Sequence, residues 1–195
     1  RYLLAMLMDI LLHAIEGYIS PGRNFLSETL FARAITIAAH TLSQDGEEED
    51  ELRPRVHAAE AGLLAAMGLA TTRSGVGCAL AYALNARLRI PKSWAATILL
   101  PHVLEYNISA ATDELRRVGE LLGDTSEGGG GSDAAGRTIE WIREIVGRHK
   151  LPARLRDFEL DLDGMVEIAE TAHNLDLMGQ LPRAASAEDL YEILK

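Results

Sequence analysis

The sequence predicts an all-α protein, folded as one compact bundle of about nine helices. Apolar residues recur at helical spacing along most of the 195-residue chain, as at Leu30, Ala34 and Ile37. No alternating run bounded by turns demands a strand, and the β-compatible residues 97–103 contain a proline that disfavours a central strand. No internal repeat is found. We therefore expect a single helical domain over residues 1–195.

The individual helices are predicted from apolar periodicity and from the residues that start and stop helices. The first helix is apolar almost all round, which is typical of a buried helix. Ser74 is expected to cap the fourth helix, Pro101 to kink the fifth, and Ser186 to cap the last with Asp189 in a capping box. The predicted helices cover residues 3–18, 27–42, 52–70, 74–88, 93–107, 110–122, 133–149, 162–173 and 186–194.

Charge and composition exclude several classes of function. A formal net charge of -10 argues against nucleic acid and against an anionic membrane surface. The single cysteine, Cys78, rules out an internal disulfide and suits a reducing compartment. The apolar run Leu3–Ile15 is expected to be too short for a bilayer and lacks a signal-peptide pattern, so we expect a cytoplasmic protein. The chain starts at once in apolar helix without Met, which suggests an excised or missing preceding segment.

Two unusual segments are predicted to be connections. The acidic residues 45–51 are expected to form a solvated loop whose later carboxylates adjoin the positive end of the third helix. Residues 128–132, GGGGS, look like a phosphate cradle, but a helix and polar residues precede them where such a cradle needs a strand. We therefore expect a linker there.

The first helix carries two polar residues on one apolar face. Asp9 and His13 are four residues apart and share that face. A buried carboxylate is costly unless it is paired or bound to a cation, so the two residues suit a divalent metal as oxygen and nitrogen ligands. A hydrogen-bonded core pair without metal is the alternative. Glu16 is expected to mark the end of the helix, where it meets water.

Other histidines and the tryptophans are given structural roles. His102 is not expected to bind metal. Trp94 and Trp141 are predicted packing residues, with Trp94 close enough to Lys92 to line the same pocket. Four histidines without partners at ligand spacing are expected at the surface or at helix ends: His40, His57, His149 and His173.

Several separated segments resemble iron-containing (group III) alcohol dehydrogenases. Residues 9–18, DILLHAIEGY, are similar to the family's Asp-x-x-x-His-Ala-Ile-Glu-x-Tyr segment. Residues 75–85 follow its Gly-x-x-His-Ala-x-Ala-His-x-Leu-Gly frame, and residues 90–93 its Ile-Pro-His-Gly. Residues 99–107, LLPHVLEYN, resemble its Leu-Leu-Pro-His-Val-x-x-x-Asn segment, and the tail 181–189 also follows the family pattern.

The resemblance implies a helical fold like the C-terminal domain of the dehydroquinate synthase-like/iron-containing alcohol dehydrogenase fold, and a metal site that is altered here. Carried over, the metal ligands fall on Asp9, His13 and Cys78, and the fourth falls on Lys92. A cysteine thiolate is compatible with divalent zinc or iron, whereas an ammonium has no lone pair and repels a cation. Lys92 is therefore predicted to occupy roughly the metal's place and to pair with Asp9. The family histidine near the reacting substrate falls on Tyr82.

By resemblance the protein is expected to be an NAD(P)-dependent oxidoreductase acting on an alcohol or aldehyde. Lys92 and Tyr82 are its expected catalytic residues. They are expected to act without a metal, as maleylacetate reductases are regarded as doing. The alternative is a site that has lost its catalytic function. The family's nucleotide-binding domain is absent from these residues, so an upstream segment or partner chain must supply it and the isolated chain is expected to be inactive. Family analogy suggests homodimers. A non-catalytic binding or assembly module remains the alternative function.

Overall fold

The computed structural model describes residues 2–44, 52–126, 130–158 and 160–195. Within these ranges the chain forms nine α-helices and two short 3-10 turns and contains no strand, so the all-α prediction is confirmed. The helices are α1 (Tyr2–Ile19), α2 (Phe25–Ser43), α3 (Leu52–Leu69), α4 (Val76–Leu88), α5 (Lys92–Asn107), α6 (Thr112–Leu122), α7 (Gly131–Arg148), α8 (Leu162–His173) and α9 (Ala187–Leu194).

The predicted helix ends agree with the structure to within about two residues, and their caps explain the differences. Ser186 and Asp189 form the expected capping box, with the Asp189 N–H donating to Ser186 Oγ at 3.1 Å. The prediction that Ser74 caps α4 is wrong, because Gly75 precedes the helix and offers no side-chain cap. The side chain of Ser74 contacts a histidine of α1 instead.

Helix α1 forms the centre of the core and packs against α2, α3, α4, α5 and α6. Leu7, Leu11 and Ile15 are completely buried. The run Leu3–Ile15 was expected to be too short for a bilayer, but the helix that contains it extends to Ile19 and, with a mean hydropathy of 1.5, is long and apolar enough by length and composition. Since 61% of it is buried inside the fold, we interpret α1 as a core helix.

A tight connection places the start of α5 beside α4. Arg89 ends α4 in the left-handed conformation, with φ 56°, and its N–H donates to the Asn85 carbonyl. The Asn85 carboxamide donates to the Ile90 carbonyl at 2.6 Å. Pro91 then precedes α5, which makes Lys92 the first residue of that helix.

The two predicted connections are described only in part. The acidic residues 45–51 lie outside the described residues, as do 128 and 129 of the glycine-rich segment. Gly131 and Ser132 belong to the first turn of α7 rather than to a linker.

Candidate functional site

The predicted site residues of α1 and α5 meet around the ring of His13. Asp9 and His13 lie one turn apart on α1, with 3.9 Å between Asp9 Oδ1 and His13 Nε2. Lys92 Nζ donates to Asp9 Oδ1 and lies 2.8 Å from His13 Nε2. The ammonium therefore contacts both residues that the family resemblance assigns as metal ligands, and the predicted Lys92–Asp9 ion pair is present.

The charge of Lys92 lies at the start of a helix and has to be compensated by neighbouring groups. As the first residue of α5 it places a cation at the positive end of the helix dipole, which is unfavourable by about 0.3–1 kcal/mol. The Asp9 carboxylate offsets this, and the Tyr82 ring lies below the ammonium with 4.9 Å between Lys92 Nζ and the ring centroid. Tyr82 is 45% exposed, so this side of the cluster opens to solvent.

The opposite edge of the His13 ring faces the start of α4. His13 Nδ1 lies 3.0 Å from Ser74 Oγ and 3.3 Å from Cys78 Sγ. Because Nε2 accepts from the Lys92 ammonium, the proton of the neutral ring belongs on Nδ1, which donates to Ser74. Burial and the charge of Lys92 lower the pKa of His13 to about 4, so the ring is neutral near pH 7.

Cys78 is a neutral thiol in this arrangement. It is completely buried, and burial together with the nearby Glu16 carboxylate raises the pKa of the thiol well above its usual range. A thiol is a much weaker metal ligand than a thiolate.

The donor set does not fit a divalent metal ion. Cys78 lies at Nδ1 of His13, whereas Asp9 and Lys92 lie at Nε2, so the three expected ligands do not converge on one point. Across the described part of the chain, no three His, Cys, Asp or Glu side chains are arranged to hold a metal. The place where a metal would join Asp9 and His13 contains an ammonium.

Glu16 has a role that the sequence prediction missed. It was expected to meet water at the end of α1, which is wrong, because it is only 3% exposed. Its carboxylate accepts three backbone hydrogen bonds from the start of α4: Gly75 at 2.9 Å, Gly77 at 2.6 Å and Cys78 at 3.0 Å. Burial raises the pKa of Glu16, while hydrogen bonds from Cys78, Gly75 and Gly77 oppose that rise.

Two glycines make room for this carboxylate. A Cβ on Gly77 would lie 2.7 Å from Leu12 Cδ1 and 3.2 Å from Glu16 Oε1. A Cβ on Gly75 would lie 3.0 Å from Glu16 Oε1. The Gly75-x-Gly77 spacing was the available sequence signal for a buried anion at the start of α4. We call Glu16 and the backbone of residues 75–78 the carboxylate cradle.

The remaining predicted residues lie apart from this cluster. His102 is exposed and pairs with Glu105 at 3.5 Å. His40 and His173 are exposed as expected, and His149 Nε2 contacts the Leu42 carbonyl at 2.8 Å.

Trp94 packs between α1 and the turn after α7. It stacks on Tyr2 at 6.4 Å and faces Phe158 at 6.3 Å. It lines a cavity of about 510 Å³ with residues 150–154 and Phe158, and Lys92 is not among the lining residues of that cavity. A second cavity, of about 610 Å³ between α5 and α9, also contains none of the cluster.

Comparison with known proteins agrees with the fold and the motifs. The profile of the Fe-containing alcohol dehydrogenase family, C-terminal, matches residues 4–195. The chain is 31% identical over 191 residues to 1,3-propanediol dehydrogenase of Citrobacter freundii, covering 96% of this chain and 49% of the relative. It is 30% identical over 192 residues to lactaldehyde reductase of Escherichia coli K12, covering 95% and 48%.

A solved structure extends the agreement to three dimensions. The crystal structure of a 1,3-propanediol oxidoreductase superimposes with a TM-score of 0.91 at 30% identity, covering 97% of this chain and 50% of that one. The chain belongs to the iron-containing alcohol dehydrogenase family and corresponds to its C-terminal helical domain. It spans about half the length of the curated relatives that it matches.

Proposed function

We propose that this domain supplies the substrate site of an NAD(P)-dependent oxidoreductase that interconverts an alcohol and an aldehyde, with Lys92 in place of a metal ion. One observation carries the proposal: Lys92 Nζ contacts Asp9 Oδ1 and also lies 2.8 Å from His13 Nε2, the two groups expected as metal ligands. The site thus keeps a positive charge where the family resemblance implies a cation.

The ammonium suits the chemistry of carbonyl reduction. When bound, NAD(P)H supplies the hydride. Two N–H groups of Lys92 are directed to Asp9 and His13, which leaves a third for the substrate oxygen. As the carbon–oxygen π pair moves to oxygen, Lys92 stabilises the developing charge and transfers its proton, giving the alcohol. The resulting amine is reprotonated from solvent.

Tyr82 is proposed as the second catalytic residue. Its ring lies against the ammonium and the residue is 45% exposed, and we propose that its hydroxyl faces the bound substrate. A hydroxyl there donates a second hydrogen bond to a substrate oxygen. Because Asp9 already compensates the single charge of Lys92, this second donor matters more than it would beside a divalent ion.

The rest of the working enzyme is part of the proposal. NAD(P) requires a nucleotide-binding half, on the same polypeptide or on a partner chain, and the substrate is a small alcohol or aldehyde. We also propose that the protein is cytoplasmic and forms a homo-oligomer. We propose that it binds neither nucleic acid nor a membrane.

The proposal is tested by aldehyde-dependent NAD(P)H oxidation with the nucleotide-binding half present, before and after exhaustive chelation. We expect activity that survives chelation and is not raised by iron or zinc. Lys92→Met should lower kcat/KM by at least about a hundredfold, and Lys92→Arg by less, because Arg keeps the charge.

Two results would contradict the proposal. Activity that vanishes on chelation and returns with iron would show that the cation is a metal. A folded protein that turns over no alcohol or aldehyde would instead favour the non-catalytic module.

A further inference from the structure

We infer that Glu16 is a positioning residue, which holds the start of α4 so that His13 keeps its proton on Nδ1 and turns Nε2 towards Lys92. The consequence for catalysis rests on the proposed function, whereas the consequence for His13 does not.

The Glu16 carboxylate is buried in the core. Burying a carboxylate is costly unless hydrogen bonds compensate it, and Glu16 receives three from a single turn of backbone, residues 75–78. These are N–H groups at the N-terminus of α4, which that helix leaves without partners of its own. The attraction between the Glu16 carboxylate and the positive end of the α4 dipole therefore fixes the start of α4 relative to α1.

The carboxylate cradle also determines what lies at His13 Nδ1. Cys78, which belongs to the cradle, has its Sγ 3.3 Å from Nδ1, and Ser74, which directly precedes the cradle, has its Oγ 3.0 Å from Nδ1. Both contacts therefore depend on where Glu16 holds the start of α4.

The contacts at Nδ1 also decide the role of the other ring nitrogen, Nε2. The hydrogen bond made by one imidazole nitrogen decides the role of the other. With Nδ1–H held by Ser74, Nε2 presents its lone pair to Lys92 at 2.8 Å. His13 is thereby locked from both edges, and the lock on the α4 edge depends on Glu16.

The test is histidine ¹⁵N and ¹H nuclear magnetic resonance on the whole chain, with the His13 signals assigned by their loss in His13→Gln. We expect a protonated Nδ1, an unprotonated Nε2 and a slowly exchanging Nδ1–H. In Glu16→Gln the carboxamide places an N–H against a backbone N–H of the cradle. The Nδ1–H should then exchange at least about tenfold faster, and both ring nitrogens should move towards the shifts of free neutral histidine.

Two further variants separate positioning from loss of stability. Ser74→Ala removes the acceptor of Nδ1–H but leaves the cradle intact, and it should give the same change in the ring signals. Ile15→Val shortens a completely buried neighbour of Glu16 and should leave the ring signals unchanged. Should Glu16→Gln fail to fold, Gly77→Ala displaces the same carboxylate and should give the same change in smaller measure.

The inference is overturned by a wild-type His13 that carries its proton on Nε2. It is also overturned if Glu16→Gln shifts the amide signals of residues 75–78 but leaves the ring signals as in the wild type. Neither measurement needs cofactor or substrate, so an inactive enzyme with an intact lock on His13 would contradict only the proposed function.

Discussion

The two edges of the His13 ring are built in opposite ways. At Nε2 lie Lys92, Asp9 and Tyr82, whose side chains are partly or half exposed, and the ammonium directs two of its three N–H groups to Asp9 and His13. At Nδ1 lie Ser74 and Cys78, both buried and held by the carboxylate cradle. The Nδ1 edge is therefore closed by groups of the protein, while the Nε2 edge leaves a charge open to solvent. In the proposed function, the orientation of the Nε2 edge depends on the contacts at the Nδ1 edge.

The largest expected effect comes from removing the cradle's carboxylate. Glu16→Ala leaves three buried N–H groups without an acceptor and should lower the free energy of unfolding by on the order of 4 kcal/mol, less than their simple sum because a buried charge is also removed. Chemical denaturation measures it. Glu140→Ala, which removes a 69% exposed side chain paired with Arg143, should cost about 0.5 kcal/mol or less. Equal effects in the two variants would show that the cradle is not structural.

Filling the cradle should have the next largest effect. Gly77→Ala brings a Cβ to 2.7 Å from Leu12 Cδ1 and 3.0 Å from Val103 Cγ2, so it should destabilise by about 1–3 kcal/mol in thermal or chemical unfolding. Gly136→Ala on α7 meets nothing within 4 Å and should stabilise by about 0.5–1 kcal/mol. If both substitutions changed the free energy of unfolding in the same direction, the close packing at Gly77 would be contradicted.

Changing the open edge should restore affinity for metal. Lys92→His removes the ammonium and adds a nitrogen ligand near Asp9 and His13 Nε2, so zinc should bind at least about tenfold more tightly, which is about 1.4 kcal/mol. Titration calorimetry measures the affinity. Lys92→Ala removes the repulsion without adding a donor and should bind more weakly than Lys92→His. Tight zinc binding by the unmodified chain would contradict the role of Lys92.

The smallest expected effect is at Tyr82. Tyr82→Phe keeps a ring below Lys92 and should leave the free energy of unfolding within about 0.5 kcal/mol, whereas Tyr82→Leu should lose about 0.5–1 kcal/mol of cation–π attraction. Denaturant titration compares the two variants. Indistinguishable stabilities would mean that the ring contributes nothing to holding the ammonium.

The same contrast decides what the sequence could predict. Helices such as α8 follow from periodicity. The Lys92–Asp9 pair follows from the family resemblance, which places the two residues together, and from the attraction between an ammonium and a carboxylate. The edge of His13 that Cys78 would contact was not predictable, because family position does not say which ring nitrogen a side chain reaches. The resemblance placed Cys78 beside Asp9 at a metal, and only the structure shows that it contacts Nδ1 on the opposite edge of the ring.

Glu16 shows a different limit of sequence-based prediction. A glutamate near a helix end ordinarily meets water, and only contacts with a segment about sixty residues later in the chain make it a core residue. Ser74 was misassigned for the matching reason, since the carboxylate from α1 occupies the N–H groups that a serine cap would take.

The carboxylate cradle also bears on how the chain folds. Glu16 and its donors are 59 to 62 residues apart, while α1 packs on the nearer α2 and α3 as well. Before α4 docks, the carboxylate keeps its water; during docking it loses that water and gains three donors together. In a partly docked α4 the carboxylate would have neither its water nor its three donors, so we expect α4 to dock in a single cooperative step. Glu16 is therefore expected to lose its water only in the step of folding that docks α4 on α1.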